Sequence, residues 1–212
     1  MKNVFNLLRT IWPAGSVLFI LLSYSLQTHA FTFTTETKDQ SGVPTIDATV
    51  YLQPVNAQPP LSQNPTASID QINRTFVPLV SIIQTGTSVV FPNKDNIRHH
   101  VYSFSPSKTF QLKLYSGIPA NPVVFEKPGL VMLGCNIHDG MVAYVVIVDT
   151  PWFAKSDNNG IARIENLPAG EYILYAWHYQ QKNLAIQKIG TFKIDADKKT
   201  AINFELKTKA GK

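Results

Sequence analysis

The sequence predicts an all-β protein, and three observations carry that prediction. Short apolar runs recur along the 212 residues, each closed by Gly, Pro, Asn or Ser. None of them repeats at the 3.6-residue period of a helix, and several alternate with the period of a strand. Val, Thr and twelve phenylalanines supply side chains that suit a pleated, half-buried surface, while fourteen prolines punctuate the runs. An apolar fraction of 44% against 16% charged is enough to build a core. The length allows one large domain or two small ones, and many short strands with Gly/Pro turns indicate β-sandwiches.

Residues 1–30 read as a secretion signal. Lys2 and Arg9 give a positive start, an apolar run follows from Ile11 to Leu26, and Thr28-His29-Ala30 offers a small-residue cleavage site. Pro13, Gly15 and Ser16 interrupt the run, which is short for a membrane span. Cleavage after Ala30 removes two cations and takes the formal charge from +5 to +3. The expected location is periplasmic or secreted, with no stable membrane span. No dense Lys/Arg run with interleaved aromatics is present, which argues against nucleic acid.

Phe31 to Lys38 reads as a strand, and Asp39 to Pro44 as a turn. Ile46, Ala48, Val50 and Leu52 alternate and are expected to share one face. From Gln53 to Ala67 the composition turns to Pro, Asn, Gln and Ser, so residues 57–67 read as a linker. Strands are then expected at Phe76–Ile83, Ser88–Phe91, His99–Phe104, Thr109–Leu114, Val123–Glu126 and Leu130–Gly134. Val142 to Val148 is a continuous apolar run, as for a strand buried on both faces. After Asp149 the turns Ser156–Gly160 and Leu167–Glu171 separate further strands, at Tyr172–His178, Ile189–Ile194 and Thr200–Leu206. Residues 209–212 read as a solvated tail.

The chemistry concentrates in Gly134-Cys135-Asn136-Ile137-His138-Asp139-Gly140-Met141, which holds the only cysteine. Cys-x-x-His-x-x-Met sets a thiolate, an imidazole and a thioether on one short loop. That donor set suits a soft, polarisable ion, and copper fits best. One more histidine completes such a site, and Arg98-His99-His100-Val101 offers it. Neighbours on a strand point to opposite faces, so His99 and His100 are not expected to ligate the same ion. A lone cysteine in an exported chain cannot pair within the chain, and ligating a metal removes a free thiol. Met is not a usual zinc ligand, and Cys-x-x-Cys-His, the haem-attachment signature, is absent. No third group orients a Cys–His hydrolase pair, so no enzyme activity is expected. His178, among Tyr175, Trp177 and Tyr179, reads as a packed or capping histidine.

The segment 68–148 resembles a cupredoxin of the amicyanin and plastocyanin type. Val90-Phe91-Pro92-Asn93-Lys94-Asp95 followed by Arg98-His99-His100-Val101 is similar to the part that carries the first ligand in that family. There the first His lies six residues after the loop Asn, which from Asn93 selects His99. The resemblance implies a type 1 copper held by His99, Cys135, His138 and Met141. The sequence departs from the family at His100, where Asn is usual, and at Gly134, where many members carry an aromatic residue on a remote electron path.

Residues 149–208, through Ser156–Gly160 and Leu167–Tyr172, resemble a carboxypeptidase regulatory-like, transthyretin-like sandwich, and residues 31–56 resemble its first half. The expectation is a cupredoxin inserted into a split sandwich. The combination is similar to exported methylamine utilisation proteins. It implies one-electron transfer between periplasmic redox partners, a cytochrome or a dehydrogenase, with a possible tie to amine oxidation. The alternative is a copper-holding or structural cell-envelope module.

Overall fold

The computed structural model describes residues 30–207. The proposed signal segment up to residue 29 and the tail from 208 lie outside the described residues. Within them the chain is all-β, and no helix is long and apolar enough to cross a membrane.

The chain opens with β1 (Ala30–Asp39) and β2 (Thr49–Pro54). Three short strands follow, β3 (Thr66–Ser68), β4 (Asp70–Ile72) and β5 (Thr75–Val77), then β6 (Val80–Gln84) and β7 (Thr87–Val90). Next come β8 (His99–Ser105), β9 (Lys108–Tyr115), β10 (Val123–Phe125), β11 (Gly129–Gly134) and β12 (Val142–Val148). The last five are β13 (Phe153–Lys155), β14 (Ile161–Pro168), β15 (Gly170–Trp177), β16 (Gln187–Ile194) and β17 (Lys198–Phe204).

Two pairs of sheets result. In the middle of the chain, the sheet β6-β12-β11-β8-β9 faces the sheet β10-β7-β3, and β4-β5 forms a separate hairpin. Phe76, Phe91, Val101, Phe125, Val131, Leu133, Val145 and Ile147 fill the space between. The first two strands pair elsewhere. β1 lies between β14 and β17, and β2 lies between β13 and β15, with β16 outside. Phe33, Val50, Leu52, Leu167, Leu174, Ile194 and Phe204 form that second core. Strands 30–54 are thus hydrogen-bonded to strands 153–204.

A third cluster joins the two sandwiches. Val80, Val146, Val148 and Trp177 are buried together, with Tyr51, Tyr144 and Phe153 against them. This explains the unbroken apolar run of β12. Val145 and Ile147 point into the first core, while Val146 and Val148 point into the seam. The Trp177 indole N–H donates to the Leu184 carbonyl at 2.8 Å, so the ring enters the seam with its polar atom satisfied. Phe153 packs in this seam, whereas Trp152 turns into the second sandwich, edge-on to Tyr172.

Two local expectations are corrected. Ile46 does not share the buried face of Ala48, Val50 and Leu52; it is 48% exposed. Asp47 adopts a left-handed φ of 64°, which breaks the alternation before β2 begins. Phe76–Ile83 is not one strand but β5 and β6, divided at Pro78, which has no N–H to give a ladder.

Candidate metal centre

The centre sits at one end of the first sandwich, where β8 begins and β11 ends. β11 pairs with β12 from Gly129 to Gly134, so Cys135 is the first residue past a fixed ladder. The chain then turns through Asn136–Gly140 and re-enters the sheet at Val142. Gly140 takes a φ of 79°, a backbone that few side chains accept. Inside the turn the Met141 amide donates to the His138 carbonyl at 3.3 Å.

The first histidine comes from another strand. Asn93, itself buried, organises the preceding loop: its side-chain amide donates to the Ile97 and Tyr115 carbonyls, and its oxygen accepts from the Asp95 amide. The loop therefore delivers His99 to the same end of the sandwich as Cys135. His99 pairs with Tyr115, and a register shift follows before Val101. A bulge of this kind re-aims side chains. His99 points inward and is fully buried, while the His100 ring takes a hydrogen bond from the Gln111 amide at 2.6 Å and lies beside Tyr102. Burial holds the His100 ring below the ordinary histidine range.

The ligand atoms of His99, Cys135 and His138 all lie within 4.8 Å of one another. Cys135 Sγ is 3.9 Å from His99 Nδ1 and 4.0 Å from His138 Nδ1. Bonds of about 2.3 Å to sulfur and about 2.05 Å to nitrogen around a first-row ion separate S and N by about 3.8 Å in a trigonal plane. A tetrahedral arrangement of the same bonds gives about 3.6 Å. The observed spacings lie close enough to both values for one ion to bridge the three atoms, and the donor set of one thiol and two imidazoles suits copper. Met141 is 2% exposed and belongs to the same buried cluster as Cys135. His100 is not part of the group.

Exposure grades across the site. Cys135 and Met141 are buried, His99 is sealed, and His138 is half-buried with Ile137 beside it 47% exposed. His138 is thus the donor nearest solvent.

A carboxylate that sequence reasoning did not single out completes the arrangement. His99 Nε2 is 2.7 Å from Asp95 Oδ2. Asp95 also accepts from the backbone amides of Asn73, at 2.7 Å, and Arg74, at 2.9 Å. Partial burial works to raise the Asp95 carboxyl. The Arg74 amide, the His99 ring and the Asn73 amide together outweigh it and hold the group below the usual carboxylate range. The one local signal was an acid four residues before the histidine. Nearby, burial pushes the Tyr115 phenol up to about 12, so it stays a neutral donor to the Phe91 carbonyl.

The space over Gly134 is taken by the Tyr102 ring. A Cβ at Gly134 would lie 2.7 Å from the ring's Cζ, so a neighbouring strand places its aromatic against the residue before Cys135.

No protein-family description matches the sequence, and no curated protein matches it. Solved structures similar to it include a copper-containing nitrite reductase from Thermus scotoductus, at 23% identity and a TM-score of 0.37. That match covers 45% of this chain and 25% of the reductase, so the chain spans about a quarter of that protein's length. A purple cupredoxin from Nitrosopumilus maritimus is 26% identical, with a TM-score of 0.32, over 38% of this chain and 98% of its own. A reduced amicyanin variant is 16% identical, with a TM-score of 0.35, over 46% of this chain and 98% of its own.

Proposed function

We propose that this is an exported copper protein that carries single electrons between redox partners outside the cytoplasm. One observation carries the reading: a thiol from β11's end, an imidazole from β8 and an imidazole from the turn between β11 and β12 converge within 4.8 Å. Copper bound there would supply a one-electron couple. His99, Cys135 and His138 would hold it, with Met141 as the weak fourth ligand.

The protein's own residues supply the rest. The ladders of β8, β11 and β12 fix the positions of the ligands, which keeps reorganisation small when the charge changes. Burial of Cys135 and His99 excludes water from the thiolate. The half-buried His138 ring gives an electron a short way out to a docked partner, past the apolar rim at Ile137. That exposed edge favours transfer over simple copper holding. We further propose that the copper unit, residues 68–148, is an insertion in a sandwich made of residues 31–56 and 149–208. In this reading the protein is a carrier and not an enzyme.

The visible spectrum of the copper-loaded protein tests this. An intense thiolate-to-copper band is expected, and Cys135→Ser should abolish it. A colourless copper complex, or a band that survives the substitution, would reject the site. A couple that exchanges reversibly with a cytochrome supports transfer. Very tight Cu(I) binding without reoxidation points to holding instead.

A further inference from the structure

We propose that Asp95 is the positioning residue of the metal centre: it fixes His99 as the Nε2-protonated tautomer and so presents the Nδ1 lone pair to the ion. The inference rests on the copper reading above and adds to it a residue outside the ligand set.

The geometry assigns the proton. Asp95 Oδ2 lies 2.7 Å from His99 Nε2, and an ionised carboxylate can only accept. In the neutral ring the hydrogen therefore sits on Nε2, and the Nδ1 lone pair faces Cys135 Sγ, 3.9 Å away. Three N–H donors converge on this one carboxylate, two from backbone and one from the ring. Asn73 and Arg74 both take left-handed φ values, 53° and 59°, and this turn between β4 and β5 aims successive amides at Asp95. From the other side, the Asp95 amide is tied to Asn93 Oδ1 at 3.0 Å. The carboxylate is braced by two separate segments, and its side chain is only 12% exposed. A ring bonded to it cannot flip without breaking a charge-assisted bond.

A backbone carbonyl could select the same tautomer. A carboxylate does more, because its charge makes the imidazole a stronger donor, which favours Cu(II) over Cu(I). Asp95 therefore sets ring orientation and biases the couple downward.

Two substitutions separate these effects. In Asp95→Asn, the carboxamide oxygen can still accept from His99 and Arg74, at the expense of an N–H facing the Asn73 amide. The tautomer persists and the charge is lost. In Asp95→Ala both are lost. Ring-nitrogen NMR of the metal-free protein should show His99 as the Nε2–H form in the wild type and in Asp95→Asn, and a mixture of tautomers in Asp95→Ala. On copper loading, Cu(II) affinity should fall about 10–100-fold in Asp95→Ala. The potential should rise in Asp95→Asn while its thiolate band remains. A His99 ring that stays wholly in the Nε2–H form in Asp95→Ala would overturn the positioning role. An unchanged potential in Asp95→Asn would overturn the electronic one. If the wild type bound no copper, the copper reading would fall, while the metal-free NMR comparison would still decide what Asp95 does to His99.

Discussion

The two sandwiches each bury a histidine near the end of a strand, and the two rings are put to opposite uses. His178, 2% exposed, closes the end of β15 with both nitrogens engaged: Nε2 donates to the Ile46 carbonyl at 3.0 Å, and Nδ1 accepts from the Gln180 amide at 3.2 Å. His99, also buried, engages Nε2 with Asp95 and turns its other nitrogen toward a sulfur. Burial alone does not make a histidine a ligand. What matters is whether a lone pair is left over after the protein has bonded the ring, and at His178 none is.

The sharpest way to break that contrast is to exchange each ring for an amide. His99→Gln should lose the intense copper band. His178→Gln should keep it. A visible titration with copper reads both, and loss of the band in His178→Gln would mean that the second sandwich has a part in the site.

The next largest effect belongs to the seam. Trp177→Ala leaves a void among Val80, Val146 and Val148, and a loss of about 3–5 kcal/mol in chemical denaturation is expected. The copper spectrum of the folded fraction should not change.

Two glycines extend the comparison at lower magnitude. At Gly160 a Cβ would strike the Thr37 carbonyl, and φ is 73°, so Gly160→Ala should destabilise by more than about 1 kcal/mol. At Gly134 the obstacle is the half-buried Tyr102 ring, which can swing outward, so Gly134→Ala should lose only about 1 kcal/mol. Thermal melts rank the pair, and the reverse order would show that Tyr102 is pinned.

The smallest effect is a pH slope. Burial lowers the His178 ring below its ordinary value of 6.5, and the opposing pull of the Ile46 carbonyl and of Asp47 does not restore it. Below pH 6.5 the unfolded chain therefore binds a proton that the folded chain resists. The stability contributed by the neutral ring is whole above pH 6.5 and is lost as pH falls from there through the depressed folded value. In copper-free protein, His178→Gln should flatten that limb of the stability curve; an unchanged limb would assign it to other groups.

Much of this was legible in the residues. Cys135, His138 and Met141 lie on one turn, so their spacing alone described a local donor set. His99 required a partner 36 positions away, and only a resemblance distinguished it from His100. The structure separates the two by a bulge that a strand pattern does not contain. Asp95 was not legible, because its meaning depends on amides of Asn73 and Arg74 that a left-handed turn brings in from more than twenty residues upstream. The run Val142–Val148 announced burial on both faces, but not that the faces belong to different cores. Ile46 fooled the alternation because Asp47 leaves the extended backbone, and aspartate tolerates that conformation at little local cost.

That shared strand has a mechanical consequence. β12 starts one residue beyond Met141 and ends between the two sandwiches, its odd and even positions gripped by different halves of the molecule. Neither half can loosen without releasing the same seven-residue beam. The protein should therefore melt in one calorimetric transition, and whatever stiffens the far sandwich also stiffens the loop that carries the sulfur.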